Sequence, residues 1–186
     1  LDGCGYYYYR DRVMGEKKWG GSAATWIGTT FHKVGEIWLN RMIKDKAKAP
    51  TVEECQETAD EVMLDNNAHT LNISEKEADE AVVRARHMAS GAAEVLATMN
   101  DPQHAEVHLN ATFEYNEHPY ELYGIVDAVD IDPVTGQHRA RDFKTGKSFM
   151  QSRYENDTQM AMYTTLMTAN DMPTDQARID HVRYLK

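Results

Sequence analysis

Residues 122–147 limit what this chain can fold into more than any other stretch. Leu122 to Ile131 is apolar and β-branched, Pro133-Val134-Thr135-Gly136 carries turn chemistry, and Gln137 to Thr145 leads away. Such a segment reads as two strands joined by a turn. With a four-residue loop Asp132 faces Gln137, and counting back along both strands sets Asp127 opposite Asp142. Directly opposed side chains in an antiparallel pair share a face, with Cβ atoms about 4.5–5.5 Å apart. Two carboxylates there repel, and partial desolvation makes the conflict worse. Strand 122–131 is apolar on both alternating faces, which keeps Asp127 from free hydration. A divalent cation shared by the two carboxylates would resolve the conflict. Lys144, two residues past Asp142, falls on the same face and adds a positive charge. The ribbon alone leaves a second account open. A one-residue slip would send the carboxylates to opposite faces, and Asp130 and Asp132 read as edge or turn acids.

At 186 residues the chain is long enough for one domain with a real core. Residues 1–186 are read as that single domain, 24–100 mainly helical and 103–186 a sheet core with a helix. No apolar run approaches the ~20 residues that span a bilayer, and no secretory pattern opens the chain. The expectation is a cytoplasmic protein away from membranes. The chain begins on Leu1 and stops on an apparent strand at Lys186, so both ends read as cuts in a longer protein. Cys4 and Cys55 are too few for a disulfide framework. The net charge of −10 argues against a nucleic-acid coat protein, because phosphate binding rests on Lys and Arg. Acid is concentrated between Glu53 and Glu80, whereas Arg139, Arg141, Lys144, Lys147 and Arg153 gather at and after the ribbon. A local basic site on an acidic body is allowed.

Ile27, Phe31, Val34, Trp38 and Met42 recur at helical spacing within Ala24 to Lys46, and Pro50 marks the end. Thr51-Val52-Glu53-Glu54 and Ser74-Glu75-Lys76-Glu77 are capping-box starts for two further helices, the second running to about Met99. Strands follow near 105–115, 119–131 and 137–145, then a helix over 154–169 and a strand over 177–185. This order is an α/β layout with a mixed sheet.

Two helices carry candidate site residues. The first holds Gly28-Thr29-Thr30-Phe31-His32 and then Glu36, one turn past His32. Imidazole joins carboxylates at divalent sites, and an acid at i+4 can accept its other N–H. A core or surface histidine is the plainer alternative, and the second histidine of the zinc-protease helix is absent. Gln159 and Tyr163, four apart, share a face of the last helix. They read either as a solvated residue beside a core one or as hydrogen-bonding groups at a metal site. Gly146-Lys147-Ser148 fails as a phosphate loop, because Arg141 stands where that motif needs glycine. A zinc site is unsupported without a close cysteine pair.

Taken in order, Gly28-x-x-x-His32, Gly124-x-x-Asp127, Asp142-x-Lys144 and Gln159-x-x-x-Tyr163 resemble the RecB-like branch of the PD-(D/E)XK nucleases. The resemblance implies a restriction-endonuclease-like core, a central mixed β-sheet flanked by helices, with a helical insertion before the sheet. It implies DNA phosphodiester hydrolysis with magnesium or manganese, by an exonuclease or endonuclease of recombination, repair or phage DNA metabolism. His32, Asp127, Asp142 and the backbone carbonyl of Phe143 would hold the metal. Lys144 would position the attacking water and steady negative charge, with Gln159 and Tyr163 orienting substrate or site. Glu106 or Glu114 would assist, Glu106 being preferred, and Arg141, Lys147 and Arg153 would meet substrate. Some relatives hold an iron–sulfur cluster, but Cys4 has no late cysteines to join it. Partners so implied are DNA, a helicase, recombinase or single-strand-binding protein, and a second copy of the chain. A catalytically inactive module for DNA binding or assembly, and a phosphoesterase acting on RNA or small nucleotides, are the competing readings.

Overall fold

The computed structural model describes residues 22–65, 73–146, 148 and 158–183. Among the described residues three helices come first, α1 (Ala23–Lys44), α2 (Val52–Asp65) and α3 (Glu75–Ala97). Strands β1 (His104–Tyr115), β2 (His118–Ile131) and β3 (His138–Gly146) form an antiparallel meander, and α4 (Thr158–Ala169) leads to β4 (Ala177–Arg183), parallel to β3. The sheet order is β1-β2-β3-β4. Tyr6 to Tyr9, Cys4, Lys147 and Arg153 lie outside the described residues.

Helix starts follow local chemistry. Thr51 Oγ1 accepts from Glu54 N at 3.2 Å while Glu54 Oε2 accepts from Thr51 N at 2.8 Å, and Ser74 with Glu77 repeats the reciprocal pair. Each box satisfies main-chain donors that a helix start leaves free. Helix α1 stops two residues short of the sequence expectation, where Asp45 N bonds Arg41 O and Lys46 turns to φ 54°.

Two apolar layers flank the sheet. Phe31, Val34, Leu39, Cys55, Met88 and Leu96 of the three N-terminal helices pack with Ala128 and Phe143 on one face. Tyr163, Leu166 and Met167 of α4 pack with Leu109, Val126, Val129 and Ala140 on the other. Burial pushes the Cys55 thiol up to about 12, so it behaves as a small apolar core group. At Gly91 a Cβ would overlap the Val182 side chain, so glycine there sets how closely α3 approaches β4.

Near the β2–β3 turn lies a buried ionic cluster. Asp130 and Arg141 are both 0 % exposed. Arg141 Nη1 donates to Asp130 Oδ2 at 3.0 Å, its Nε to Asp180, and its Nη2 to Thr98 Oγ1 at 2.8 Å. Arg139 bridges Asp130 and Asp132, and Arg178 reaches Asp180 at 2.9 Å. Two sequence expectations are corrected here. Asp130 is no solvated edge acid, and Arg141 has no surface left to offer a substrate, because all of its reach is spent joining β2, β4 and the end of α3. Asp132 does cap the turn, accepting from Val134 N and Thr135 N at 2.9 Å each.

Removing one partner from such a cluster leaves charge buried without compensation. Arg141→Met is expected to destabilise the fold by about 3–5 kcal/mol in urea titrations. A loss under about 1 kcal/mol, the range of an exposed pair, would return Arg141 to the list of surface contacts.

Candidate active site

The register lines up three carboxylates. Ala105↔Ala128 and Val107↔Val126 flank Glu106 and Asp127, which therefore face one another across β1 and β2. Ala128↔Arg141 sets Asp127 against Asp142 across β2 and β3, as the four-residue turn predicts. A flat sheet could not hold this row comfortably, because like charges directly opposite one another destabilise a strand pair.

The sheet breaks there. Residues two apart on a strand share a face, yet Ala105 and Ala128 pack against the N-terminal helices whereas Val107 and Val126 pack against α4. Both strands therefore roll over at the acidic pair, and Glu106 adopts φ 48° in the left-handed region. A non-glycine residue held there costs about 1–3 kcal/mol and clusters at functional sites. The β2–β3 ladder also ends at Ala128–Arg141, although β3 continues beside β4 to Gly146. Phe143 N donates to Asp127 Oδ2 at 2.6 Å, filling the place of a ladder bond. The β1–β2 hairpin thus leaves β3 at a notch, and the carboxylates stand in it.

Helix α1 supplies the fourth group. Gly35 lets the helix lie against the sheet, since a Cβ there would come within 3.1 Å of the Phe143 ring. His32 then sets Nδ1 3.3 Å from Asp127 Oδ1, its ring edge-on to Phe31. One ligand atom each from His32, Glu106 and Asp127 lies within 4.8 Å of the others. Burial alone would lower the His32 pKa, but the hydrogen bond to Asp127 and the charges of Asp127, Glu106 and Asp142 outweigh it and raise it. Glu106 is raised by burial and by the Asp127 and Glu36 charges.

Asp142 points to the α4 face, where a ring of contacts closes on it. Lys144 Nζ lies 3.0 Å from Asp142 Oδ1 and 3.1 Å from Gln159 Oε1. Gln159 Nε2 donates to Tyr163 OH at 2.6 Å, and Tyr163 OH points back to Asp142 Oδ1 at 3.5 Å. Gly124 makes room for this, because a Cβ there would lie 2.9 Å from Leu166 and 3.6 Å from the Tyr163 ring. Burial and the Asp142 and Asp127 charges push the Tyr163 phenol far up, so it stays a donor. Burial raises Asp142, opposed by Lys144 and reinforced by Asp127.

The donor set fits a divalent cation. Asp142 Oδ2 is buried and makes no hydrogen bond, although the Lys144 ammonium is 2.8 Å away in a poor direction for one. A lone pair left so is costly, and carboxylates with imidazole suit magnesium or manganese. Of the competing acids, Glu106 joins the group and Glu114 does not. Glu114 faces Pro119 near the exposed hairpin end, eight residues further along β1. Glu36, expected to orient His32, instead bonds Lys33 at 2.7 Å. Phe143 is anchored at the site through its N–H on Asp127. Sequence reasoning did not single out His108 and Tyr123, which stand beside this row on the hairpin. Their signal was the alternation that places His108 two residues from Glu106 and Tyr123 four from Asp127 on one side of the strands.

Among the described residues, no helix is long and apolar enough to cross a membrane. No curated protein matches the chain. A family model described as the PD-(D/E)XK nuclease superfamily matches residues 1–185. With that match over nearly its full length and a mixed sheet flanked by helices, the chain has the restriction-endonuclease-like fold and belongs to the PD-(D/E)XK nuclease superfamily.

Proposed function

We propose that this chain is a magnesium- or manganese-dependent deoxyribonuclease of the RecB-like branch, acting on DNA in recombination, repair or phage metabolism. The observation that carries the reading is Asp142, which faces the His32–Glu106–Asp127 group through the register and holds Lys144 with its own carboxylate. The order of the four glycine, acid, lysine and glutamine–tyrosine motifs along the chain supports the branch.

His32, Glu106, Asp127 and Asp142 are the groups that would hold the cation, which when bound supplies Lewis acidity and lowers the pKa of a water. Lys144 carries the step that belongs to the protein. Its ammonium, fixed between Asp142 and Gln159, donates to the attacking oxygen and to charge developing on the phosphoryl group. Tyr163, kept protonated, donates to Asp142 and accepts from Gln159, so the amide oxygen of Gln159 stays turned towards Lys144. Lys147 and Arg153, outside the described residues, fit flanking phosphates by their charge and place in the sequence.

Lys144→Ala is expected to lower DNA cleavage in manganese by about 10²–10³-fold, the loss typical of one donor removed from such a site. Manganese binding by calorimetry should persist. Equal cleavage by mutant and parent would eliminate this role, and cleavage surviving chelation would eliminate the metal.

Protons and metal should substitute for one another in stabilising the site. His32, Glu106 and Asp142 all bind protons more tightly folded than unfolded. The His32 contribution is full below its ordinary 6.5 and is lost as pH rises through its raised folded pKa. The two acids weaken the fold above their raised pKa values, and that penalty disappears as pH falls through them. The metal-free protein should therefore have a higher Tm near pH 6 than near pH 8, with manganese recovering stability at the higher pH. Asp127→Asn should flatten the slope. A metal-free Tm that rises with pH over that interval would contradict the crowding of charge.

A further inference from the structure

The open face of the β1–β2 hairpin begins where the acidic row ends. Beyond the roll at Glu106 and Asp127, one face of the hairpin carries Leu109, Ala111, Leu122 and Gly124 and lies under α4. Among the described residues, no helix packs on the other face, where His108, Asn110, Thr112, Glu121 and Tyr123 are exposed. Its first cross-strand pair is His108↔Ile125 and its second is Asn110↔Tyr123. Tyr123 is 56 % exposed, unusual for a ring so near a charged centre. Its hydroxyl lies 2.5 Å from His108 Nδ1, with the two rings 5.9 Å apart and inclined by 60°. His108 is also close enough to Glu106 for its charge to act on that carboxyl. The phenol is therefore fixed by a diagonal partner, presented to solvent, and placed two same-face positions along β2 from Asp127, with Ile125 between them.

We infer that Tyr123, steadied by His108, is a stacking platform for an unpaired base of the DNA strand whose phosphate lies at the acidic row. The inference rests on the nuclease reading above and adds a substrate class to it. An aromatic face binds any base whose own face is free, and in duplex DNA those faces are covered by neighbouring pairs. A platform beside the scissile phosphate therefore favours single-stranded or frayed ends over intact duplex. The charge pattern limits its length. Glu121 and Glu114 lie further out on the same face and repel a phosphate backbone. The neutral stretch at Tyr123, Asn110 and Ile125 is long enough for one base, so the strand would leave the hairpin after a single stacking contact.

The test uses an oligonucleotide with 2-aminopurine near its end, held with calcium in place of manganese so that binding is read without cleavage. Parent protein should quench the fluorophore. Tyr123→Phe should keep the quenching, and Tyr123→Ala should lose it and bind roughly five- to a hundred-fold more weakly, the range for one base–aromatic stack. With manganese, Tyr123→Ala should also lose the preference for single-stranded over blunt duplex substrate. Unchanged quenching in Tyr123→Ala, or loss in Tyr123→Phe as large as in Tyr123→Ala, would overturn the platform, as would a matched RNA strand binding in a Tyr123-dependent way more tightly than DNA. The two readings separate cleanly. Tyr123-dependent quenching in a protein that cleaves nothing upholds the platform and rejects the nuclease, and cleavage indifferent to Tyr123 does the reverse.

Discussion

Three carboxylates in one cross-strand row, Glu106, Asp127 and Asp142, impose the condition that the surrounding structure is arranged to meet. In a regular sheet they would stack side by side with their charges unscreened. The strands respond by rolling over at the first two and by parting after the third's partner, so that the row opens into a notch. Other groups then meet the row, the His32 imidazole from α1 and the Lys144 ammonium from two residues along β3. Even so the balance remains negative. Burial first, and the neighbouring carboxylates after it, raise Glu106 and Asp142, and Asp142 Oδ2 is left without a hydrogen bond. The conflict is local to that row, and it is of the kind a bound cation would relieve.

The cost is carried by rigid surroundings. A few residues along the same strands, Asp130, Arg139, Arg141 and Asp180 form a cluster in which nearly every charged atom has a partner. The contrast is informative, because both groups sit on β2 and β3 and both contain buried aspartates. Where arginines match the acids, the strands stay paired and regular; where they do not, the ladder ends. Burying ions is weak evidence for net stability, but this cluster joins β2, β3 and β4 at one place, so the strands diverge from a fixed point.

Much of this was legible from local signals. The Pro133–Gly136 turn fixes the Asp127–Asp142 register, because loop length and strand alternation alone decide it. The capping boxes at Thr51 and Ser74 mark helix starts in the same local way. The choice between Glu106 and Glu114 stayed open because Asn116-Glu117 lacks the glycine of the commonest hairpin signal. Yet both residues take positive φ, 50° and 66°, and make a two-residue turn. Placing that turn pairs Tyr115 with His118 and brings Glu106 opposite Asp127 without further information. Arg141 was different in kind. Its burial depends on Asp180, thirty-nine residues later, and no local pattern reports a partner that only β4 brings in. Glu36 has the right spacing to reach His32, but it pairs with Lys33 at 2.7 Å.

The roll in the hairpin also explains how groups from opposite sides of a sheet can converge on one place. His32 comes from the helical layer on one face, while Lys144, Gln159 and Tyr163 belong to the α4 face. In an unbroken sheet the backbone would separate them by its own thickness, and neither set could reach the other. Asp127 lies where β2 changes face, and its two oxygens divide the work, Oδ1 towards His32 and Oδ2 on the Phe143 N–H of β3. The left-handed backbone at Glu106 turns the partner strand in step, which keeps the hairpin paired on both sides of the kink. A straightened β1–β2 pair would keep every candidate residue and lose their convergence. The left-handed backbone at Glu106 thus belongs to the convergence itself, while the outer hairpin keeps one face under α4 and turns Tyr123 to the other.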